Sequence, residues 1–259
     1  FTLRDLSGAE RAYEQAVETR EWKQAPVAAI ALGQLRSHKL GDARGAETAF
    51  ELAIEFGNSD HTGRAAFLLG AIREDEFDDA RGAADAYRRA VRSGDDHHGP
   101  SAAFNLGLLY AGVLDDPRRA EKAYRRAIKS GHDDAAPLSA MALADLREQR
   151  NDLPGAVEAY RWAIESDHAE VGPQAAFNLG VLLEENGNQP AAADAYRIAV
   201  GSGHSEQSPK ASVALGLLLE LRLGDPAGAA DAFAQAIAAK HPVHSAEAVE
   251  HLARVSPAS

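Results

Sequence analysis

The sequence predicts an all-α protein, an α-solenoid of about six and a half helical hairpins, and three observations carry that prediction. The segment SAAFNLGLLY from Ser101 returns as QAAFNLGVLL from Gln174, with weaker copies from Val27, Arg64, Leu138 and Lys210. Its small residue falls at Gly33, Gly70, Gly107, Ala144, Gly180 and Gly216, at intervals of 37, 37, 37, 36 and 36. A fixed period of that length marks stacked supersecondary units. A second motif alternates with the first, its aromatic at Tyr13, Phe50, Tyr87, Tyr124, Tyr160, Tyr196 and Phe233. The composition agrees: the 259 residues are 45% hydrophobic but only 6% aromatic, and such an Ala-rich chain is poorly suited to a large β-rich core.

The elements follow in order. Residues 1–24 read as the second helix of a truncated repeat, with Phe1-Thr2-Leu3 aligned to the last turn of a first helix whose beginning is absent. The chain thus reads as cut from a longer protein. Repeats then span 27–63, 64–100, 101–137, 138–173, 174–209 and 210–245, each a helix A followed by a helix B, and the whole of 1–259 reads as one helical-repeat domain. In helix B, Ala120, Ala123, Tyr124, Ala127 and Ile128 form one apolar stripe on a 3.6-residue period. Its start is marked by Asp116-Pro117 and Asp225-Pro226, an N-cap followed by a proline whose missing N–H costs nothing there. Its end is marked by Gly57, Gly94, Gly131 and Gly203. A short polar loop follows, closed by Pro100, Pro137, Pro173 or Pro209. From each aromatic to the next small residue is 20 positions, whereas from small residue to aromatic is 17 or 16. The variable connection is therefore the one between helix A and helix B. Residues 246–255 form a last helix A whose Glu247, Glu250, His251 and Arg254 give it a polar side, as a solenoid cap requires. The N-terminal end lacks such a cap, so self-association through exposed repeat ends is expected.

These residues resemble a known family. Leu179-Gly180 in helix A, then Ala192, Tyr196 and Ala199 in helix B, are similar to the tetratricopeptide repeat, and the likeness covers nearly the whole chain. It departs in its period, 36–37 against about 34, and in Ala103 and Ala176 where helix A usually has Trp. Ser130-Gly131-His132 and Ser202-Gly203-His204 are also similar to Sel1-like repeats, a related hairpin class. The resemblance implies a right-handed solenoid and a non-catalytic protein–protein interaction scaffold, binding a peptide or helix of a partner protein in its concave groove. The alternative is a regulatory or sensor domain of a larger signalling protein or enzyme whose catalytic part precedes residue 1.

The remaining chemistry is sparse. A formal charge of −12 makes the chain a poor general binder of nucleic acid or anionic membrane. It has no cysteine and no run of 18 apolar residues, so thiol chemistry and a membrane-spanning helix are excluded. With no signal peptide visible, a cytoplasmic location is expected. No phosphate-cradling loop, His-Glu-x-x-His pair or nucleophile elbow occurs, so neither catalysis, a cofactor nor a metal is expected. His132, His168, His204 and His241 share one repeat phase, which spaces neighbours about 10 Å apart, whereas zinc ligands converge to about 2 Å of one ion. They read as loop residues that cap or pack, and His97-His98 lacks a third ligand. The acidic run Asp75-Glu76-Asp78-Asp79 reads as a solvated face.

The candidate partner-binding residues lie on helix A away from helix B. If Ala102, Ala103, Leu106 and Gly107 face helix B, Phe104, Asn105 and Leu108 face elsewhere. One stripe then runs Ile30, Phe67, Phe104, Met141, Phe177 and Val213, and a second Gln34, Ala71, Leu108, Asp145, Val181 and Leu217. The site so predicted comprises Phe67, Phe104, Asn105, Leu108, Phe177, Asn178, Val181 and Leu217. Two readings stay open, a groove taking bulky anchors of a partner or core between neighbouring A helices. Asn105 and Asn178 resemble the groove Asn with which some tetratricopeptide domains hold a peptide backbone. Lys210, Arg64 and Arg73 are too scattered to form a carboxylate clamp. On helix B, Arg88, Arg125, Arg161 and Arg197 share one phase, with Arg89, Arg119, Arg126 and Lys129 nearby. Pairs such as Glu121 with Arg125 and Asp85 with Arg89 favour a solvated, internally paired face. Trp162 and Ile198, one phase over, form a second candidate patch.

Overall fold

The structure, a computed structural model, describes residues 3–56 and 59–255. Among them are fourteen α-helices and no strand. The chain divides into two compact units, residues 1–139 and 140–259. The first holds α1 (Leu3–Glu18), α2 (Ala25–Leu35), α3 (Ala43–Glu55), α4 (Ser59–Asp75), α5 (Ala80–Ser93), α6 (His98–Ala111) and α7 (Pro117–Ser130). The second holds α9 (Leu153–Glu165), α10 (Val171–Glu185), α11 (Gln189–Gly201), α12 (Gln207–Leu218), α13 (Pro226–Ala238) and α14 (His244–Val255), while α8 (Ala135–Gln149) passes through the division. Even-numbered helices are the A helices and odd-numbered ones the B helices. Within each unit consecutive helices joined by short loops, such as α4 with α5 and α10 with α11, pack as hairpins. Within each unit successive A helices also touch, α4 with α6 and α10 with α12, while B helices stand further apart. The A face is thus the inner side of each stack.

The small and aromatic positions explain each other. The rings of Phe50, Tyr87, Tyr124, Tyr160, Tyr196 and Phe233 are all buried. At Gly107 a Cβ would stand 2.3 Å from the Tyr124 ring, and at Gly180 2.4 Å from that of Tyr196. Glycine there lets the B-helix ring lie directly on the A-helix backbone, and flanking alanines such as Ala103 and Ala120 close the rest.

Both connections are built from repeating hydrogen bonds. Between A and B, the expected caps are present: Asp116 accepts from the Arg119 amide and Asp225 from that of Gly228, and Asp42, Asp79, Asp152 and Asn188 do the same. The N–H of each cap residue also closes the turn on a helix A carbonyl. It reaches back six residues in Asp42, Asp79, Asp116 and Asp225 (to Arg36, Arg73, Tyr110 and Leu219), and five in Asp152 and Asn188 (to Arg147 and Leu183). The acceptor always lies three residues after the small position. The 17- and 16-residue spacings are one turn with and without an inserted residue, and at Arg36–Leu40 and Leu219–Leu223 the insertion widens the helix end into a π turn.

Between B and A, Gly94 and Gly131 take the left-handed conformation at the helix end, as does Gly203 one residue beyond its cap. The end expected at Gly57 lies outside the described residues, as does the reading of Phe1 and Thr2; Leu3 opens α1. Two expectations are corrected. Pro100, Pro137, Pro173 and Pro209 sit in the first turn of α6, α8, α10 and α12 rather than closing the loop before them, where a missing N–H is harmless. His251 is half-buried on α14 rather than purely part of its polar side; its ring stacks on the buried Phe233 at 5.3 Å.

Candidate functional site

The A face is built from residues just beyond the Gly–ring contact. Phe67, Phe104 and Phe177 are half-buried. Each lies against the ring of its own hairpin, Phe67 5.9 Å from Tyr87, Phe104 6.4 Å from Tyr124 and Phe177 5.7 Å from Tyr196. In the first unit Leu108, 44% exposed, extends the apolar strip. In the second unit Phe177, Val181 and Leu217 pack partly on the core formed by Tyr196, Val213 and Phe233, and the Lys210 ammonium sits 4.1 Å over the Phe177 ring. The stripe expected to begin at Ile30 and end at Val213 is shorter, because both are buried, 3% and 4% exposed; at those positions an aliphatic side chain fits between neighbouring A helices.

Beside the strip runs a set of partly buried hydrogen bonds. The Tyr87 hydroxyl donates to Glu74 at 2.9 Å, that of Tyr196 to Glu184 at 2.9 Å, and that of Tyr160 to Asp145 at 3.1 Å and to Glu148. Burial, reinforced by these carboxylates, pushes all three hydroxyls far above the ordinary tyrosine range, so they remain donors. Asp145 is itself raised by burial, against the Tyr160 hydrogen bond. Asn105 donates through Nδ2 to the Tyr87 hydroxyl at 3.3 Å, and Asn178 to the Met141 sulfur at 3.8 Å. Both carboxamides therefore couple neighbouring repeats and keep an oxygen for an incoming donor. These pairs were readable in advance: Glu74, Glu148 and Glu184 each follow the small residue by four positions.

The histidines act as helix caps. In His132, His168, His204 and His241, Nδ1 accepts from the backbone amides two and three residues on, at 3.1–3.3 Å. Asp95 takes this place before α6, accepting from the His97 and His98 amides. Accepting at Nδ1 places the neutral ring's proton on Nε2, which in His204 faces Glu170 at 2.9 Å and in His241 faces Glu206 at 3.1 Å. Among the described residues no group of three or more His, Asp or Glu could hold a metal ion, and no helix is long and apolar enough to cross a membrane.

On the B face, Arg125 pairs with Glu121 at 3.0 Å as expected. Asp85 pairs with Arg88, one turn away, rather than with Arg89. Ile198, 50% exposed, lines a depression of about 600 Å³ with Ile164, His168 and His204. Trp162 is half-buried and is not among its walls.

Comparison with known proteins bears on the fold. The tetratricopeptide repeat family model matches residues 109–161 and 141–212. No curated protein matches the chain in sequence. Similar solved structures include the C-terminal part of a TPR repeat-containing protein from Cytophaga hutchinsonii, with a TM-score of 0.65 at 13% identity over 94% of this chain and 99% of that one. Pseudomonas aeruginosa PilF has a TM-score of 0.55 at 19% identity over 90% and 99%. YrrB, described as a TPR protein with an unusual peptide-binding site, has 0.52 at 20% identity over 74% and 92%. This chain is therefore an array of helical hairpins with the tetratricopeptide fold, matched in sequence to that repeat over residues 109–212.

Proposed function

We propose that the protein is a non-catalytic interaction scaffold that binds an extended or helical segment of a protein partner along the inner A face. One observation carries this: Phe67 and Phe104 remain half-buried on the inner face, with Leu108 exposed beside them, where a solvated surface would be polar. Each phenylalanine packs at a tilt against a buried tyrosine, and a ring so seated offers its remaining surface at less ordering cost than a free one. The Asn105 and Asn178 oxygens supply acceptors for a partner's backbone. Peptide binding by YrrB supports the class of ligand.

The test is peptide-library selection on the full chain, followed by Phe104→Ala and Leu108→Ala. Truncating a groove anchor weakens selected peptides by about 1–4 kcal/mol and leaves thermal melting little changed. A loss of about 3–5 kcal/mol in fold stability on Phe104→Ala would instead make the ring core and sink the assignment.

A further inference from the structure

A second site lies on the opposite, B face of the first unit. A channel of about 340 Å³ opens between α5 and α7 over α6. Its floor is Val91, Ala103, Leu106, Tyr110 and Ala123, and its walls are Arg88 and Arg92 from α5 and Arg119, Lys122 and Arg126 from α7. No carboxylate lines it. In sequence α5 carries four arginines against one aspartate, and α7 six cations against one glutamate. That is a net charge of +8 on two helices of a chain whose total is −12.

The register of the repeats shows what the channel replaces. In the two preceding hairpins the same place is filled by an ion-pair staple. Arg36 binds Glu10 and Glu14 at 2.9 and 2.5 Å, and Arg73 binds Glu47 and Glu51 at 2.8 and 2.5 Å. One period on, Arg73 becomes Tyr110, Glu47 becomes Ala84 and Glu51 becomes Arg88. The guanidinium that plugged the gap is gone, and the acidic wall has become basic. Two of the five cations have local partners, Arg88 with Asp85 and Arg119 with Asp116 at 3.2 Å. Arg88 also donates to the Tyr110 hydroxyl at 3.4 Å, Arg119 lies 5.6 Å over the Tyr110 ring, and Arg126 donates to the Val91 carbonyl at 3.0 Å. Arg92 and Lys122 pair with no carboxylate among the described residues.

We infer that this channel binds an acidic, extended peptide segment of a partner protein. Two like-charged walls facing each other across a gap are unfavourable unless anions lie between them. The wall residues recur at three- and four-residue intervals, so each wall is one helix face, about 6 Å long on α5 and about 10 Å on α7. About three residues of extended chain span that length, and their side chains point alternately to either side. Successive carboxylates then meet the α5 row and the α7 row in turn, with the peptide backbone over the apolar floor. Arginine, four of the five cations, suits this role because its planar fork takes a carboxylate through two hydrogen bonds.

The experiment is fluorescence anisotropy of rhodamine-labelled hexaglutamate and hexaglutamine with the full chain, at low and at physiological salt. Hexaglutamate binds saturably and more weakly as salt rises, and hexaglutamine binds at least about tenfold more weakly. The double variant Arg92→Ala/Lys122→Ala, both positions exposed, keeps its melting temperature and weakens hexaglutamate at least about tenfold. Arg161→Ala, on the B face of the other unit, leaves binding unchanged. Rebuilding the staple with Ala84→Glu/Arg88→Glu/Tyr110→Arg abolishes binding. The inference is overturned if hexaglutamine binds equally, if the double variant binds like the wild type, or if Arg161→Ala weakens binding as much. It is also overturned if inorganic tripolyphosphate displaces hexaglutamate far below the concentration at which unlabelled hexaglutamate does, which would make this a phosphate site. Self-association abolished by Arg92→Ala/Lys122→Ala would assign the channel to a second copy instead.

Discussion

At the scale of single residues, the glycines at the small positions of the A helices are set by contact with one ring; at Ala144 the hairpin accommodates a methyl. Gly107→Ala would push a methyl to 2.3 Å from the buried Tyr124 ring, so the ring or the helix must shift. The expected cost is about 1–3 kcal/mol, read from a urea melt; an unchanged midpoint would show that the hairpin opens freely. The caps before the A helices are equally local. His204→Ala removes the acceptor of two backbone amides and should destabilise by about 1 kcal/mol. Asp95 does the same work with a charge. Burial opposes its ionisation, but the amides of His98 and His97 and the His98 ring outweigh that and hold its carboxyl below the ordinary range. A depressed carboxyl adds stability that is present above the unfolded value, near 3.9, and is lost as pH falls through the lower folded value. The stability gap between wild type and Asp95→Asn should therefore be full at neutral pH and close on acidification. A gap that widened in acid would show the sign to be wrong.

At the scale of elements, the two connections differ in tolerance. The A–B turn closes through one cap amide that reaches back either five or six residues. Val113, 71% exposed in the longer form, is the residue to remove. Deleting it converts that turn to the shorter form and should move the melting temperature by only a few degrees. The B–A connection has a constant 20-residue spacing, because its cap residue must meet the first amides of the next helix A while that helix packs on the preceding helix B. Deleting Asp96 displaces the His97 and His98 amides from Asp95 and shifts the register of α6. It should lower the melting temperature far more than loss of Val113. Equal effects would show that register is not held there. Both connections were visible as spacings, but the hydrogen bonds that make one elastic and the other rigid were not, since an amide's partner depends on where the chain turns.

At the scale of the whole molecule, a solenoid has no central core, so its ends need cover. In the second unit α14 covers the hairpin before it: Ala248 is buried, and Leu252 and Val255 pack on the cluster containing Phe233 and Leu219. Removing residues 244–259 uncovers the Phe233 ring. The truncated chain should melt earlier and self-associate in sedimentation velocity at concentrations where the full chain does not. A truncated chain of unchanged melting temperature and mass would show that the last hairpin is self-sufficient. Charge is also distributed at this scale. An acidic chain that gathers +8 on two neighbouring helices orients an acidic partner by long-range attraction that a uniformly acidic surface lacks.

The sequence by itself determined the hairpins, their order and their N-caps, because these follow from residues a few turns apart at a fixed period; that each helix A glycine lies under one helix B ring came from the structure. The sequence also placed the loop histidines as caps or packing residues. Only the tertiary structure decided how the inner-face rings are shared. Phe104 is half-buried while Val213, at the matching phase, is core, since exposure depends on the size of the neighbouring repeat's side chains and not on the phase. The same holds for the basic ladder on helix B. Its arginines look alike in sequence, but two of its phases, Arg88 and the neighbouring Arg119 and Arg126, line a channel only because Tyr110 and Ala84 withdrew the staple that fills that gap in the hairpins before it.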